Sequence, residues 1–295
     1  MNEPGQPVRV VYWRSIPIPR RESPWRTHRL NGLLFLLTVA SIALVGGLRL
    51  VLALVPILMA HEMGHYLACR FYRVQATLPF FIPLPVPELS LVGTAGAFIR
   101  IRSPIPHRHA LFDIGIAGPL AGFLVCLPVL GLGMMEAQLQ PVAEVQGIFL
   151  GEPLLFQWAT RLVWGEMPPG VALSLGPIGL AAWFGLLVTA LNLSPIGQLD
   201  GGHISYALLR ERAYRISQIG SWVCVLLVYF GPSWLVWALL VRVLGRKHPP
   251  TFDDNVPLGR GRVLLGVVAL LVFVICFTPN PIVWSWAEFF RAVRG

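Results

Sequence analysis

A predominantly apolar run from Leu48 to Cys69 carries His61-Glu62-Met63-Gly64-His65 near its far end. A segment of this length and apolarity folds as a helix if it crosses a bilayer, because its backbone polar groups have to be satisfied within the segment itself. On a helix, residues four apart share one face about 6 Å apart along the axis. His61 and His65 can therefore offer two imidazoles to one tetrahedral zinc ion, with Glu62 about 100° round and within reach of a water at that ion. Ionisable side chains at membrane depth are costly and mark function. The combination points to hydrolysis of peptide bonds within a bilayer.

The rest of the chain fits that reading. Of its 295 residues 55% are hydrophobic and only 13% charged, too apolar a mixture for a water-soluble protein of this size. The net charge of +9 would suit a nucleic-acid binder, but the arginines gather at the ends of apolar runs, as in membrane proteins, so no nucleic-acid partner is expected. Cys69, Cys126, Cys224 and Cys276 lie singly in apolar stretches, which indicates neither a disulfide framework nor a CxxC metal site. Cys69, one turn past His65, reads as a small packing residue.

The expected architecture is an all-α polytopic membrane protein with six or seven transmembrane helices and a short membrane-associated β-hairpin or re-entrant segment. Spans are predicted at about 30–47, 48–69, 110–135, 171–196 and 263–279. The stretch 216–245, cut by Gly231-Pro232, reads as a tight hairpin from its cationic ends, although its length also suits one long kinked helix. Six arginines precede Leu30 and Arg210, Arg212 and Arg215 follow the fourth span, whereas Glu136, Glu144, Glu152 and Glu166 lie beyond the third. The N-terminus is accordingly predicted to be cytoplasmic. The resulting parts are a basic cytoplasmic tail (1–29), a membrane-embedded domain (30–245, core 48–205), a cytoplasmic linker (246–262) and a C-terminal span with its tail (263–295). The tail reads as retained rather than as a cleaved signal, and its low serine content favours a bacterial inner membrane over an organellar one.

The connection from Val74 to His109 is no simple loop. Pro79, Pro83, Pro85 and Pro87 break any helix, and Leu91 to Arg102 is rich in apolar, β-branched and glycine residues. Gly93 and Gly96 allow a turn or a close backbone approach. A strand here could pair with an extended substrate by strand addition, or it could be an apolar connector packed on the helices.

A catalytic zinc usually takes three protein ligands. The acidic candidates for the third are Asp113, near the start of the third span, and Asp200, after the fourth. Asp200 follows Asn192-Leu193-Ser194-Pro195-Ile196-Gly197, where Pro195 and the glycines should break the helix and bring irregular backbone into a protein-lined cavity.

With these residues in view, the chain resembles the site-2 protease family of intramembrane zinc metalloproteases. The resemblance rests on His61-Glu62-x-x-His65, on Asn192-x-x-Pro195 with Asp200-Gly201, and on Gly118-Pro119 between them, in the family's order over about residues 48–205. It implies one Zn²⁺ per chain held by His61, His65 and Asp200, with Glu62 as general base and Asn192 near the reacting carbonyl. It implies that the segment from Gly93 to Arg102, with Gly96, engages substrate. It also implies single-pass transmembrane proteins as substrates; water has to reach the metal, and the end of the second span at Arg70 and Arg73 predicts a polar cavity and active site toward the cytoplasm.

Other readings of single residues stand beside it. Gly118 to Gly122 could be only a small-residue helix contact. Asp113 could pair with Arg108 or His109, and His203 reads as a neighbour of the metal site or a histidine of the cytoplasmic face. Two rival functions are a non-catalytic membrane adaptor that keeps the fold, and a membrane metal transporter, which would need further polar residues along a path. The oligomeric state is not legible.

Overall fold

The computed structural model describes residues 24–86, 90–144, 148–232, 234–235, 238–239, 251, 253–254 and 256–283. Its helices are α1 (Pro24–Phe71), α2 (Arg108–Glu136), α3 (Leu154–Trp164), α4 (Pro177–Leu193), α5 (Asp200–Leu209), α6 (Arg212–Leu227) and α7 (Arg260–Cys276). Four short strands, β1 (Phe80–Pro83), β2 (Thr94–Phe98), β3 (Gln138–Pro141) and β4 (Val171–Ser174), pair as β1-β2 and β3-β4.

α1 is two helices joined at Gly47, whose φ of 74° is a left-handed value that favours glycine. A straight helix would hold Asn31 about 60 Å from Phe71. Instead the Asn31 Nδ2 donates to the carbonyls of Leu78 and Pro79, a few residues past Phe71 and within a reach of roughly 25 Å. The chain therefore reverses at Gly46-Gly47, and the predicted first and second spans stand side by side.

α2 is the spine of the molecule. It packs on the second half of α1, on α4 and on α5. The main core joins Ile57, Phe112, Ile116, Leu130, Trp183 and Leu186, and a second one joins Leu50, Leu54 and Leu58 to Phe81 and Val92 of the hairpin. Gly133 of α2 and Gly179 of α4 touch so closely that a Cβ on Gly133 would stand 2.6 Å from the Gly179 Cα. Leu44, Leu52, Leu67, Leu124 and Leu132 point outward. Two helices, Thr27–Phe71 and Arg108–Glu136, are long and apolar enough to cross a membrane, and Pro177–Leu193 is a shorter apolar helix. The chain is thus mostly helical, with two helices apolar enough for a membrane.

Residues 171–196 do not form one continuous helix. Gly170, at φ 79°, turns the chain, residues 171–174 pair with 138–141 in the register Gln138↔Ser174 to Pro141↔Val171, and α4 starts only at Pro177, a residue preset for a first helical position. The acidic stretch beyond α2 also holds the amphipathic α3, which buries Phe156 and Thr160 and fixes Trp164 by a bond from its Nε1 to the Met134 carbonyl, 3.0 Å. The predicted break at Gly231-Pro232 is present, with α6 ending in a short 3-10 turn over Val228–Phe230. The choice between a hairpin and one long helix over 216–245, most of the 1–29 tail, and Arg291 and Arg294 fall outside the described residues.

The hairpin after α1 is antiparallel, in the register Phe80↔Phe98, Phe81↔Ala97 and Pro83↔Thr94. It leans on α1 through the Phe35 and Phe81 rings, 5.2 Å apart, and through Ser41, whose Oγ donates to the Gly93 carbonyl.

At the opposite end of α2 from Glu136, polar side chains tie four segments together. Arg108, buried, donates to the Ala207 carbonyl at the end of α5 and, through Nη1, to the Asp254 carbonyl, 3.3 Å. The Tyr206 hydroxyl donates to Asp254 Oδ2, 2.7 Å, and the His109 ring lies 2.7 Å from the Pro257 carbonyl. Burial pushes the Asp254 carboxyl up, but the hydroxyls of Thr251 and Tyr206 outweigh it and hold the group below its usual range.

Candidate functional site

His61, Glu62 and His65 lie on the second half of α1, each about 5% exposed, on the face that meets α2. Glycines make this approach possible. A Cβ on Gly64 would stand 2.5 Å from the Ala117 carbonyl, one on Gly122 would stand 3.1 Å from the His61 Cβ, and one on Gly118 would overlap the Nε2 of His65 outright. Gly118-Pro119 is thus more than a generic helix contact: the missing side chain at 118 is the space His65 occupies.

Asp200 arrives from the other side. α4 ends at Leu193, Pro195 and Gly197 carry the chain around, and α5 begins with Asp200. Gly201 and Gly202 sit on the carbonyls of Leu193 and Gly197, leaving no room for a Cβ at either position. Gly115 of α2 receives the same helix, at the Asp200 carbonyl and the His203 Cβ.

Three side-chain atoms converge. His65 Nε2 is 3.2 Å from His61 Nε2 and 3.2 Å from Asp200 Oδ2, and His61 Nε2 is 3.4 Å from the same oxygen. Ligands at a zinc–nitrogen distance of about 2.05 Å in a tetrahedron stand about 3.3 Å apart, so these three atoms already have the spacing of one tetrahedral face. His65 Nδ1 lies 2.7 Å from the Ile114 carbonyl. Donation of the Nδ1 proton there leaves the Nε2 lone pair directed at the other two groups, the usual support for a histidine ligand. Among the described residues these are the three His, Cys, Asp or Glu side chains grouped as a possible metal site.

Glu62 sits beside them. It accepts a hydrogen bond from the backbone of Ile99, just past β2, while its Oε2 is buried with no partner. An orphaned buried carboxylate oxygen is costly unless something polar belongs next to it. A bound zinc ion and a water would fill that need, and the donor set of two imidazoles and a carboxylate suits this metal. The Asn192 Nδ2 lies 3.4 Å from His61 Nε2 at the end of α4.

From this centre a cavity of about 630 Å³ extends past Thr94, Ala95, Gly96 and Ala97 of β2. Gly96, at φ 97°, lines it. Gly93, at φ 77°, lies instead against α1, where a Cβ would stand 2.7 Å from the Ser41 carbonyl.

The remaining predicted residues are elsewhere. Asp113 pairs not with Arg108 or His109 but with Arg262 of α7, 2.8 Å from Nε and 2.7 Å from Nη2, and with the Tyr72 hydroxyl. The partner is 149 positions away in sequence, so local spacing could not name it. Cys69 is fully buried with Val74, Ala110 and Ile114 and is a packing residue. His203 packs beside Gly115 and is not one of the three convergent groups.

A mostly helical chain with a His-Glu-x-x-His centre completed by a distant aspartate is what fold and site define. Residues 49–230 match the sequence pattern of peptidase family M50, and the chain belongs to that family, the one the motifs resembled. It is 30% identical over 245 residues to the probable zinc metalloprotease EGY1, chloroplastic, of Arabidopsis thaliana, covering 81% of this chain and 43% of that protein. It is 30% identical over 233 residues to the probable zinc metalloprotease EGY2, chloroplastic, of Oryza sativa subsp. indica, covering 76% and 41%. The chain spans less than half the length of these relatives.

Proposed function

We propose that this protein is an intramembrane zinc metalloprotease that cuts peptide bonds in or near the transmembrane segments of membrane proteins. The observation that carries the reading is the tetrahedral-face spacing of His61 Nε2, His65 Nε2 and Asp200 Oδ2 next to the orphaned Oε2 of Glu62. Membership of peptidase family M50 and the zinc metalloproteases among its relatives support it.

In this reading His61, His65 and Asp200 hold the zinc, which supplies Lewis-acid polarisation of the scissile carbonyl and acidifies a water. Glu62 takes a proton from the attacking water at Oε2. The water oxygen adds to the carbonyl carbon, the C–N bond breaks, and Glu62 returns the proton to the leaving nitrogen. The second proton of the water passes from the new carboxyl group to the amine, so the products are a carboxylate and an ammonium group. Asn192 donates from Nδ2 toward the carbonyl oxygen. β2 holds the substrate extended by strand addition along Thr94–Ala97, since among the described residues it has a strand neighbour only in β1.

The substrates are single-pass transmembrane proteins, whose helix has to unwind locally because intact helical bonds shield its carbonyls. The surrounding topology is six or seven spans with a cytoplasmic N-terminus, in a bacterial inner membrane; the relatives' names place them in chloroplasts.

Reconstitution of the purified protein with a single-pass substrate tests this reading. Cleavage should require zinc, stop in Glu62→Gln and speed up when helix-weakening residues are placed in the substrate. Equal cutting of strongly helical and helix-broken versions would count against it.

A further inference from the structure

The cavity beside the metal site is mostly apolar. His61, Glu62 and Asn192 line it together with an aromatic and aliphatic wall of Trp234, Phe273, Phe277 and Ile282. That wall is fixed in place. The Trp234 Nε1 donates to the Pro279 carbonyl, 2.7 Å, its ring lies 6.3 Å from that of Phe277, and Phe277 lies 5.4 Å from Phe273. All four residues fall outside the 49–230 stretch that matches the family pattern.

We propose that this cavity receives a large apolar side chain, of leucine size or greater, next to the bond to be cut, and that Trp234, Phe273 and Phe277 set its size. The inference rests on the protease reading above. An extended chain alternates its side chains, so a substrate paired along the edge of β2 sends every second one to the same side of the sheet. Beside Glu62 the space open to such a side chain is this cavity, whose lining is mostly apolar. At about 630 Å³ it falls within the ~300–1,000 Å³ range of ligand sites, enough for the largest natural side chain and part of a neighbour. An alanine there would leave most of the aromatic wall without contact.

The test uses amino-acid hydroxamates, which carry a zinc-chelating head and one side chain, titrated by calorimetry against the zinc-loaded protein in lipid nanodiscs. Leucine and phenylalanine hydroxamates are expected to bind about 10–100-fold more tightly than alanine hydroxamate. Cys224→Trp, which fills the cavity from α6, should reduce that preference to less than about threefold while zinc content stays at the wild-type level. Leu187→Phe fills it from α4 and serves the same purpose should the first variant not fold.

A flat series on zinc-loaded protein would overturn the pocket, including the case in which a lipid chain already fills it, and would leave the protease reading standing. An unchanged preference in folded filling variants would also overturn it. Absence of zinc from the wild type would overturn the protease reading itself.

Discussion

Gly118→Ala is the sharpest perturbation the geometry offers. The added methyl would lie far inside the 3.0 Å that real Cβ contacts respect, against the Nε2 of His65. Carbon and nitrogen are comfortable at roughly 3.5 Å, so the imidazole has to retreat by on the order of 1 Å or the helices have to part. The ring cannot simply swing aside, because its Nδ1 is held by the Ile114 carbonyl at 2.7 Å. Losing a single group that orients a ligand costs about 10–100-fold in metal affinity, and displacing the ligand nitrogen should cost at least the upper end, about 2.7 kcal/mol. Spreading α1 from α2 would add about 1–3 kcal/mol of overpacking to the folded state.

Two neighbours calibrate the experiment. A methyl at Gly122 meets the His61 Cβ at 3.1 Å and should weaken zinc binding by less than about tenfold, while a methyl at Gly131 meets nothing within 4 Å and should be neutral or stabilise by up to about 1 kcal/mol. Zinc affinity measured by competition with a chromogenic chelator in detergent, with thermal unfolding followed in parallel, should give the order 131, 122, 118. Wild-type zinc affinity in a folded Gly118→Ala protein would show that His65 does not depend on the space left at position 118.

Three further outcomes follow from the same contacts. Glu62→Gln should keep zinc at the wild-type level and lower cleavage by about 10²–10⁴-fold, read by metal analysis beside a reconstituted protease assay. Arg108→Met removes the donors to the Ala207 and Asp254 carbonyls and should destabilise the fold by about 2–3 kcal/mol in denaturant titrations, with a smaller loss in Asp254→Asn. The Asp113–Arg262 pair is about 30% exposed on each side, so a double-mutant cycle with Asp113→Asn and Arg262→Gln should show a coupling of only about 1 kcal/mol.

The parts of this molecule legible from sequence are those set by short-range pattern. The four-residue spacing of His61 and His65 fixes a common helix face whatever surrounds it, and the apolar run 30–69 is long enough to divide into the two spans 30–47 and 48–69. Proline spacing announced the β1-β2 region. Asp200 is one of two acidic candidates at membrane depth; its chain-breaking neighbours suit a carboxylate turned inward, and the family resemblance makes it the third ligand. What could not be read depends on packing across the chain. The partner of Asp113 lies in α7, the partner of Arg108 is a backbone carbonyl of α5, and residues 171–174 chose a strand because 138–141 were there to pair with. The apolar residues of β4 look like the start of a span until Gly170 and Pro177 are given their backbone roles. Gly93 and Gly96 look alike in sequence, yet one packs on Ser41 and the other faces the cavity.

The central claim is that His61, His65 and Asp200 together hold one zinc ion. Metal analysis of protein purified without chelators, comparing wild type with His65→Ala and Asp200→Ala, measures it directly. Near-stoichiometric zinc is expected in the wild type, with its loss in both variants. A wild type without zinc, or an Asp200→Ala protein that keeps it, would contradict the account.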